Sequence, residues 1–406
     1  MTRPSSLAAG LALAVALTNF IPTAAAIAGQ GAASASPCLK WSHGPSSDPA
    51  FFPIAVWLPN PSRAEQYQQA GINTYVGLWK GPTEEQLAAL RKAGMKIVCA
   101  QTETGLRHRD DSAIIAWMHG DEPDNAQSLG RGKGYGPPIL PAKIVEDYQR
   151  IRAADPTRPV LLNLGQGVAW DNYIGRGVRR NHPEDYPEYV KGCDIASFDI
   201  YPAVHEKPEI AGKLWYVARG VERLAAWAGP ERITWNCLEC TRISNVNRKP
   251  TPREVRAEAW MALIHGSRGL IYFVHQFKPV FREAALLDDP EMLTAVTALN
   301  RQITALAPVL NSPTISAGAT VQSAKADVPV AFMVKRHGGA TYVFAVCLRE
   351  AATTATFTLS HLPGEPTVTV VGENRSLTAK RGVFQDSFEP WGVHIYRVGA
   401  MAKTTP

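Results

Sequence analysis

The chain has 406 residues, of which 45% are hydrophobic and 19% are charged, and its formal net charge is +6. This length leaves room for two domains, one of about 250 residues and one of about 100, and the composition excludes a disordered or fibrous chain. Lys and Arg are spread along the sequence without a long run, so the charge does not indicate nucleic acid as a partner.

The N-terminus has the pattern of an export signal. Arg3 supplies a positive charge, and residues 7–17 form a short apolar segment rich in Ala and Leu. Small residues follow and offer three cleavage positions, at Ala26, Ala28 and Ala35. The apolar segment is shorter than the roughly 20 residues that a membrane span needs. We therefore predict a signal peptide and linker over residues 1–36, and a secreted or periplasmic protein without membrane insertion after cleavage.

From residue 51 onward, short apolar runs alternate with helical segments. The predicted strands cover residues 52–58, 72–78, 96–100, 114–119, 159–164, 195–200, 233–238 and 270–274. The predicted helices cover residues 63–70, 83–93, 142–154 and 252–265. Eight successive strands predict an α/β fold, a (β/α)₈ TIM barrel, over residues 37–308. A doubly wound sheet is not favoured, because residues 58–61 after the first strand lack a glycine-rich phosphate turn.

The pattern changes after Pro308. Short alternating strands are predicted at residues 330–334, 341–346, 355–359, 367–371 and 393–398. Glycine-containing turns separate them, and no helical period appears. We predict a small C-terminal antiparallel β-sandwich domain over residues 309–406.

The cysteine content leaves two interpretations open. The six cysteines are Cys38, Cys99, Cys193, Cys237, Cys240 and Cys347. An even number in an exported protein permits up to three disulfides, and the sequence does not choose a connectivity. Cys237 and Cys240 have CxxC spacing, but no second such pair accompanies them, so we predict no zinc site. Free thiols and structural disulfides both remain open.

Barrel enzymes place their active sites at the C-terminal ends of the strands. Polar residues at four of these ends are Asp121 and Glu122, Asp199 and Tyr201, Glu239, and His275. Glycoside hydrolysis needs two carboxyl groups, one to protonate the leaving oxygen and one to attack or to activate water. Burying a carboxylate on an apolar strand is costly unless it is used or paired. We therefore predict Glu122 and Glu239 as the catalytic pair; the structural alternative is a salt bridge with Arg107 or Arg242.

These motifs resemble glycoside hydrolase clan A. Glu122 followed by Pro123, and Glu239 at the end of strand seven, are similar to the acid/base and the nucleophile of that clan. Residues 194–202 and 258–273 resemble segments of family 42 β-galactosidases and related barrels. The resemblance, over residues 51–277, implies a retaining glycosidase in which Glu239 attacks the anomeric carbon and Glu122 protonates the leaving oxygen. It implies no metal or organic cofactor.

The sequence also departs from the clan. Asp121 stands where the clan has Asn, the residue that hydrogen-bonds the sugar 2-hydroxyl, and an ionised Asp can only accept hydrogen bonds. The charge of Asp121 should help to keep Glu122 protonated. Strand eight often ends in a sugar-stacking Trp in the clan, whereas this chain has His275 nearby.

Further substrate contacts are predicted from position and residue type. Asp199 and Tyr201 are two residues apart on strand six, so both can face the barrel mouth, and Asp121 after strand four is a further predicted contact. Aromatic faces bind the apolar faces of sugars, and His can contact a hydroxyl group. The candidates of these two kinds are Trp57, Trp79, Trp170 and His275. Core packing is the alternative for each Trp.

Two other functional interpretations stay open. An inverting glycosidase or transglycosylase on the same fold would use Asp199 or Asp124 as its base. A non-catalytic carbohydrate-binding barrel of the cell envelope would bind sugars at the same mouth. In that interpretation, Asp121 in place of the clan's Asn reflects a loss of catalytic activity. A metal-dependent deacetylase is not favoured, because no His-x-His follows strand one. All the favoured interpretations have a carbohydrate partner, but the sequence identifies no sugar, linkage or oligomeric state.

Overall fold

A computed structural model of the chain describes residues 40–360 and 364–399. The predicted signal peptide, its linker and Cys38 lie outside the described residues. Within the described ranges, no helix has the length and apolarity needed to cross a membrane.

Nine parallel strand segments form one closed sheet. They are β1 (Ile54–Trp57), β2 (Thr74–Val76), β3 (Lys96–Ala100), β4 (Ile114–Met118), β5 (Val160–Leu164), β6 (Ile195–Phe198), β7 (Ile233–Thr234), β8 (Asn236–Glu239) and β9 (Leu270–Phe273). The sheet order is β7-β6-β5-β4-β3-β2-β1-β9-β8. Because β7 and β8 are two halves of one strand interrupted at Trp235, this order is an eight-stranded barrel. The predicted TIM-barrel fold is confirmed.

Helices surround the barrel. They are α1 (Ala64–Gln69), α2 (Glu84–Lys92), α3 (Glu103–Arg107), α4 (Pro141–Ala154), α5 (Tyr186–Tyr189), α6 (Trp215–Ala228), α7 (Pro252–Ile264), α8 (Pro290–Ala305) and α9 (Ala307–Leu310). Thr83 and Thr251 begin α2 and α7 with capping boxes, in which side chains satisfy the first free backbone N–H groups.

The strands bury both of their faces. Alternate side chains such as Val98, Leu161 and Ile271 fill the barrel interior, and the intervening ones pack against the helices. The interior is therefore a packed core, so chemistry is confined to the loops that follow the strands.

The cysteines that the structure describes are all free. Cys99, Cys193, Cys237, Cys240 and Cys347 are buried and form no disulfide with one another. For these five, the free-thiol interpretation holds.

The C-terminal region is a sandwich of two antiparallel sheets, as predicted. Its strands are β10 (Ala319–Ser323), β11 (Val330–His337), β12 (Ala340–Cys347), β13 (Thr353–Leu359), β14 (Thr367–Val370), β15 (Arg375–Thr378), β16 (Val383–Phe388) and β17 (Val393–Val398). One sheet has the order β10-β13-β16 and the other β11-β12-β17-β14-β15.

The barrel and the sandwich share one hydrophobic core across α7. Trp260 on α7 stacks on Phe344 of β12 with ring centroids 5.4 Å apart, and both belong to the cluster that surrounds the barrel. Lys335 of β11 is buried and donates hydrogen bonds to the carbonyl oxygens of Leu310 and Ser312. The two units are therefore expected to unfold together.

Trp260→Ala should destabilise both units at once. Truncating a fully buried Trp costs about 3–5 kcal/mol of unfolding free energy, and here the cavity would open between α7 and β12. Denaturant unfolding followed by Trp fluorescence and by far-ultraviolet circular dichroism should show one coincident, weakened transition. Trp260→Phe is the matched control, because it keeps an aromatic ring and removes an indole N–H that has no hydrogen-bond partner among the described residues. Two separate transitions in the Ala variant would contradict a shared core.

Candidate active site

Carboxyl groups from two strand ends meet at the mouth of the barrel. Glu122 follows β4 and Asp199 follows β6, and their carboxyl groups hydrogen-bond each other. The Tyr201 hydroxyl donates to Asp199 Oδ2 at 3.3 Å. Asn125 makes a further side-chain hydrogen bond to Glu122. The structure thus brings together Glu122, Asp199 and Tyr201, all of which the sequence predicts as site residues.

The backbone at Glu122 is strained. Its φ angle is +42°, in the left-handed region that a residue with a branched or long side chain rarely adopts. Two hydrogen bonds hold this conformation: the Glu122 N–H donates to Asn163 O at 3.1 Å, and the Asn125 N–H donates to Glu122 O at 3.1 Å. Strain of this kind persists where the surroundings enforce it, and it is concentrated at functional sites.

A glycine at the end of β5 leaves room for the Glu122 carboxyl group. A Cβ on Gly165 would lie 2.9 Å from Glu122 Oε1 and 2.7 Å from Asn125 Oδ1. Any other residue at position 165 would therefore displace one of these side chains.

Asp121 is the solvent-exposed member of the cluster. Its Oδ1 accepts a hydrogen bond from Asn163 Nδ2 at 3.0 Å, and Asn163 Oδ1 in turn accepts one from Ser197 Oγ at 2.8 Å. Although Asp121 is exposed as a residue, the surrounding protein excludes much of the water near its carboxyl group and raises the pKa of Asp121 to about 6. Asn163 opposes this rise.

The Glu122–Asp199 pair holds a proton at neutral pH. Burial, together with the neighbouring charges of Asp121 and Asp124, raises the pKa of Glu122 to about 8. Burial and the charge of Glu122 raise the pKa of Asp199 well above its usual range. Two carboxyl groups in contact cannot both ionise cheaply, so they titrate as a pair that shares a proton.

Asp124, which the sequence offers as an alternative base, hydrogen-bonds groups of the loop after β5. Its side chain is completely buried, and its two oxygens accept hydrogen bonds from the Gly165 N–H and the Tyr186 hydroxyl, each at 2.9 Å. The structure therefore gives Asp124 a structural role in holding the loop after β5.

Glu239 makes its contacts with a different set of groups. Its side chain is 0% exposed, and its oxygens accept hydrogen bonds from the N–H groups of Ala203 at 2.6 Å and Val204 at 2.9 Å. Its carboxyl group also contacts Glu258, and burial raises the pKa of Glu239 to about 8. The loop after β6 thus covers the end of β8, and its backbone N–H groups bind the Glu239 carboxyl group. Hydrogen bonds thus join Glu122 to Asp199 and Glu239 to the loop after β6, and the catalytic pairing of Glu122 with Glu239 stays a prediction.

Arg107 and Arg242, the predicted salt-bridge partners of Glu122 or Glu239, have other partners. Arg107 pairs with Glu84 and Glu103, and Arg242 donates to Val246 O at 2.9 Å.

The predicted aromatic contacts divide into one exposed ring and two buried ones. Trp79 is 69% exposed at the mouth. Trp57 is buried in the barrel interior, and Trp170 is buried against Tyr173 and His205. Packing thus accounts for Trp57 and Trp170, so the structure does not present them to a substrate.

His275, predicted as a substrate contact, is held by the backbone. Its Nδ1 lies 2.7 Å from Glu283 O and its Nε2 lies 2.9 Å from Trp57 O, and the residue is buried. Both ring nitrogens are therefore engaged by the backbone.

Sequence reasoning missed Asn163 and Gly165. The signal for Asn163 was present, because it is the one polar residue within the apolar run of β5. Nothing local marks Gly165 as a contact of Glu122, since that proximity depends on the packing of two loops. Within the described ranges, no group of three His, Cys, Asp or Glu side chains is arranged to hold a metal ion.

Comparisons with known proteins show the fold. No family model and no curated protein matches the sequence. A candidate alpha-galactosidase from Bacteroides fragilis NCTC 9343 is 10% identical, with a TM-score of 0.52, over 87% of this chain and 80% of that one. A variant of AmyP in complex with maltotriose is 9% identical, with a TM-score of 0.51, over 87% of this chain and 98% of that one.

A second B. fragilis NCTC 9343 structure, of a candidate alpha-galactosidase/melibiase, is 10% identical, with a TM-score of 0.51, over 86% of this chain and 79% of that one. At these identities, the likeness establishes architecture and leaves the activity to the site itself.

Glu122→Gln is expected to stabilise the protein in a pH-dependent way. An unfolded Glu ionises near pH 4, whereas the pKa of Glu122 in the folded chain is about 8. Between these values the folded state binds more protons, so its stability falls as pH rises. The Tm of the variant should equal that of the wild type near pH 4 and exceed it by at least about 2 °C at pH 8. Exposed Glu350→Gln is the control, and a pH-independent difference would contradict the pairing.

Glu239→Ala should release the loop after β6. The variant loses both acceptors of the Ala203 and Val204 N–H groups, and each unsatisfied buried group costs about 1–3 kcal/mol. Hydrogen exchange of these two amides should accelerate by about tenfold or more, while amides of β3 stay protected. Glu258→Gln, which leaves both Glu239 oxygens as acceptors for the two N–H groups, is the matched control and should leave both amides slow. Unchanged hydrogen exchange in Glu239→Ala would show that Glu239 does not hold the loop after β6.

Proposed function

We propose that this chain is a glycosidase that hydrolyses O-glycosidic bonds of an oligo- or polysaccharide at the mouth of its barrel. The observation that carries the proposal is the convergence of Asp121, Glu122 and Asp199 at the C-terminal ends of the strands, with raised pKa values and a strained backbone at Glu122. Perturbed carboxyl groups gathered in a barrel mouth are typical of acid–base chemistry.

The three carboxyl groups supply the two functions that the reaction needs. The Glu122–Asp199 pair holds a proton at neutral pH and can deliver it to the departing glycosidic oxygen as the C–O bond breaks. Asp121, with a pKa of about 6, is largely ionised at pH 7 and is reached by solvent. Its carboxylate either attacks the anomeric carbon or deprotonates the water that does so. The anomeric configuration of the first product distinguishes these two routes.

Hydrogen bonds fix these roles. Asn163 orients Asp121, and Tyr201 donates to Asp199, which stabilises the charge that remains on the Glu122–Asp199 pair once the proton has been delivered. The structural likeness to candidate alpha-galactosidases and to a maltotriose complex supports a carbohydrate as the substrate. The finer resemblance to family 42 rests on the sequence motifs alone, and the engaged position of Glu239 departs from that pattern.

Export is part of the proposal. The charged start, the apolar segment and the small residues up to Ala35 support cleavage of a signal peptide. N-terminal sequencing of the protein recovered from the periplasm or medium tests it: a mature start near Ala26, Ala28 or Ala35 is expected, and an intact Met1 would contradict it.

Glu122→Gln should abolish turnover and retain carbohydrate binding. Loss of a proton donor typically lowers the rate by about 10²–10⁴-fold. The measurement is reducing-sugar release from a panel of polysaccharides, with nitrophenyl glycosides as short substrates. Glu350→Gln, far from the mouth, should behave as the wild type. A wild type that binds carbohydrate without any turnover would favour the non-catalytic interpretation.

The pH profile should be bell-shaped. Activity requires the charge on Asp121 and the proton on the Glu122–Asp199 pair, so kcat/KM should rise through about pH 6 and fall above about pH 8. Asp121→Asn should remove the acidic limb along with most of the activity. An unchanged acidic limb in the residual activity would show that another group supplies the carboxylate.

A further inference from the structure

The exposed apolar surface is concentrated around the mouth of the barrel. Apart from Val383, every large hydrophobic side chain that is exposed in the described chain lies in a loop that follows a barrel strand. Exposed apolar clusters of this kind mark binding surfaces. The loop after β9 carries three of these side chains, Phe277, Val280 and Phe281.

A series of aromatic contacts joins this loop to the carboxyl cluster. Tyr201, which donates to Asp199, lies 5.4 Å from Phe273 between ring centroids. Phe273 lies 5.9 Å from Phe277, and Phe277 lies 5.9 Å from Phe281 with an interplanar angle of 28°. The rings therefore lead without interruption from the proposed catalytic centre to the solvent.

The loop holds its exposed rings in place. Gln276 and Arg282 exchange backbone hydrogen bonds of 3.0 and 2.8 Å, which close a hairpin around the two rings. The Phe277 N–H donates to Ile243 O at 2.6 Å. Phe277 is 49% exposed and Phe281 is 58% exposed. Rings that are fixed before binding lose little conformational entropy when a ligand stacks on them.

We infer that Phe277 and Phe281 form a stacking platform for a polysaccharide chain that extends several sugar units from the carboxyl cluster. The inference rests on the proposed function and specifies its substrate class as a polymer. Sugar rings present flat C–H faces to aromatic rings while their hydroxyl groups stay hydrated, which suits half-exposed Phe side chains. Continuity with Tyr201 and Asp199 favours the substrate chain as the occupant over a membrane or a protein partner.

Binding to carbohydrate chains of increasing length tests the platform. The protein would carry Glu122→Gln to prevent turnover, and co-sedimentation with insoluble xylan, mannan, cellulose, chitin and starch would identify the polysaccharide that is retained. Calorimetry would then use its oligosaccharides of two to eight units. Phe277→Ala/Phe281→Ala should weaken binding of the longest oligosaccharide by about tenfold or more. The disaccharide should change by less than about threefold, because it need not reach the platform.

Two paired variants separate stacking from general apolar contact. Phe277→Tyr/Phe281→Tyr keeps both aromatic faces and should retain the preference for long chains. Phe277→Leu/Phe281→Leu keeps an apolar surface and should lose that preference as the Ala pair does. Full retention in the Leu pair, or an equal loss for all chain lengths, would overturn the inference, as would a parent protein that binds none of the polysaccharides.

The outcomes distinguish this inference from the proposed function. Hydrolysis of nitrophenyl glycosides by the chain without Glu122→Gln, with no change in length dependence on ring removal, would refute the platform alone. Ring-dependent binding of long chains by a protein that hydrolyses nothing would refute the glycosidase and leave the platform standing.

Discussion

The carboxyl groups of Glu122 and Asp199 are in contact and buried, and two such groups side by side are stable only when they share a proton. The candidate site depends on this contact. The neighbouring strands are arranged to enforce that contact. The carbonyl of Asn163 holds Glu122 in its left-handed conformation, and Gly165 leaves the space that its carboxyl group occupies. The carboxyl groups of the site would repel one another if they were all ionised, and the rigid barrel keeps them in contact.

The sequence predicted most of the barrel because a closed parallel sheet buries both faces of each strand, so its strands read as short, continuous apolar runs. It singled out the residues that follow strands four and six for the same reason: a polar residue at the end of such a run is conspicuous. Glu239 looks equally conspicuous, but the sequence does not reveal the surroundings of its carboxyl group. No local pattern shows that the backbone of Ala203 and Val204 folds over the end of β8 and engages this side chain. Helices α3, α5, α6, α8 and α9 and strands β10, β15 and β16 were not predicted, although α6 buries one clear apolar face.

Helix α7 connects features that are distant in the chain. At the middle of this helix, Glu258 contacts Glu239, which holds the loop that follows Asp199 and Tyr201. Two residues later, Trp260 packs against Phe344 in the sandwich. The sandwich therefore supports a helix that in turn supports the loop of the candidate site. A small β-domain appended to a barrel can contribute to activity in this way without touching the substrate.

The free cysteines bear on how the protein can be made. All five described thiols are buried, and burial raises the pKa values of Cys99, Cys193 and Cys237 among them, so little reactive thiolate forms. Folding of residues 40–360 and 364–399 therefore needs no oxidant and no disulfide exchange. The barrel and the sandwich are therefore suited to production in a reducing bacterial cytoplasm, and assays can include reductants without loss of the fold.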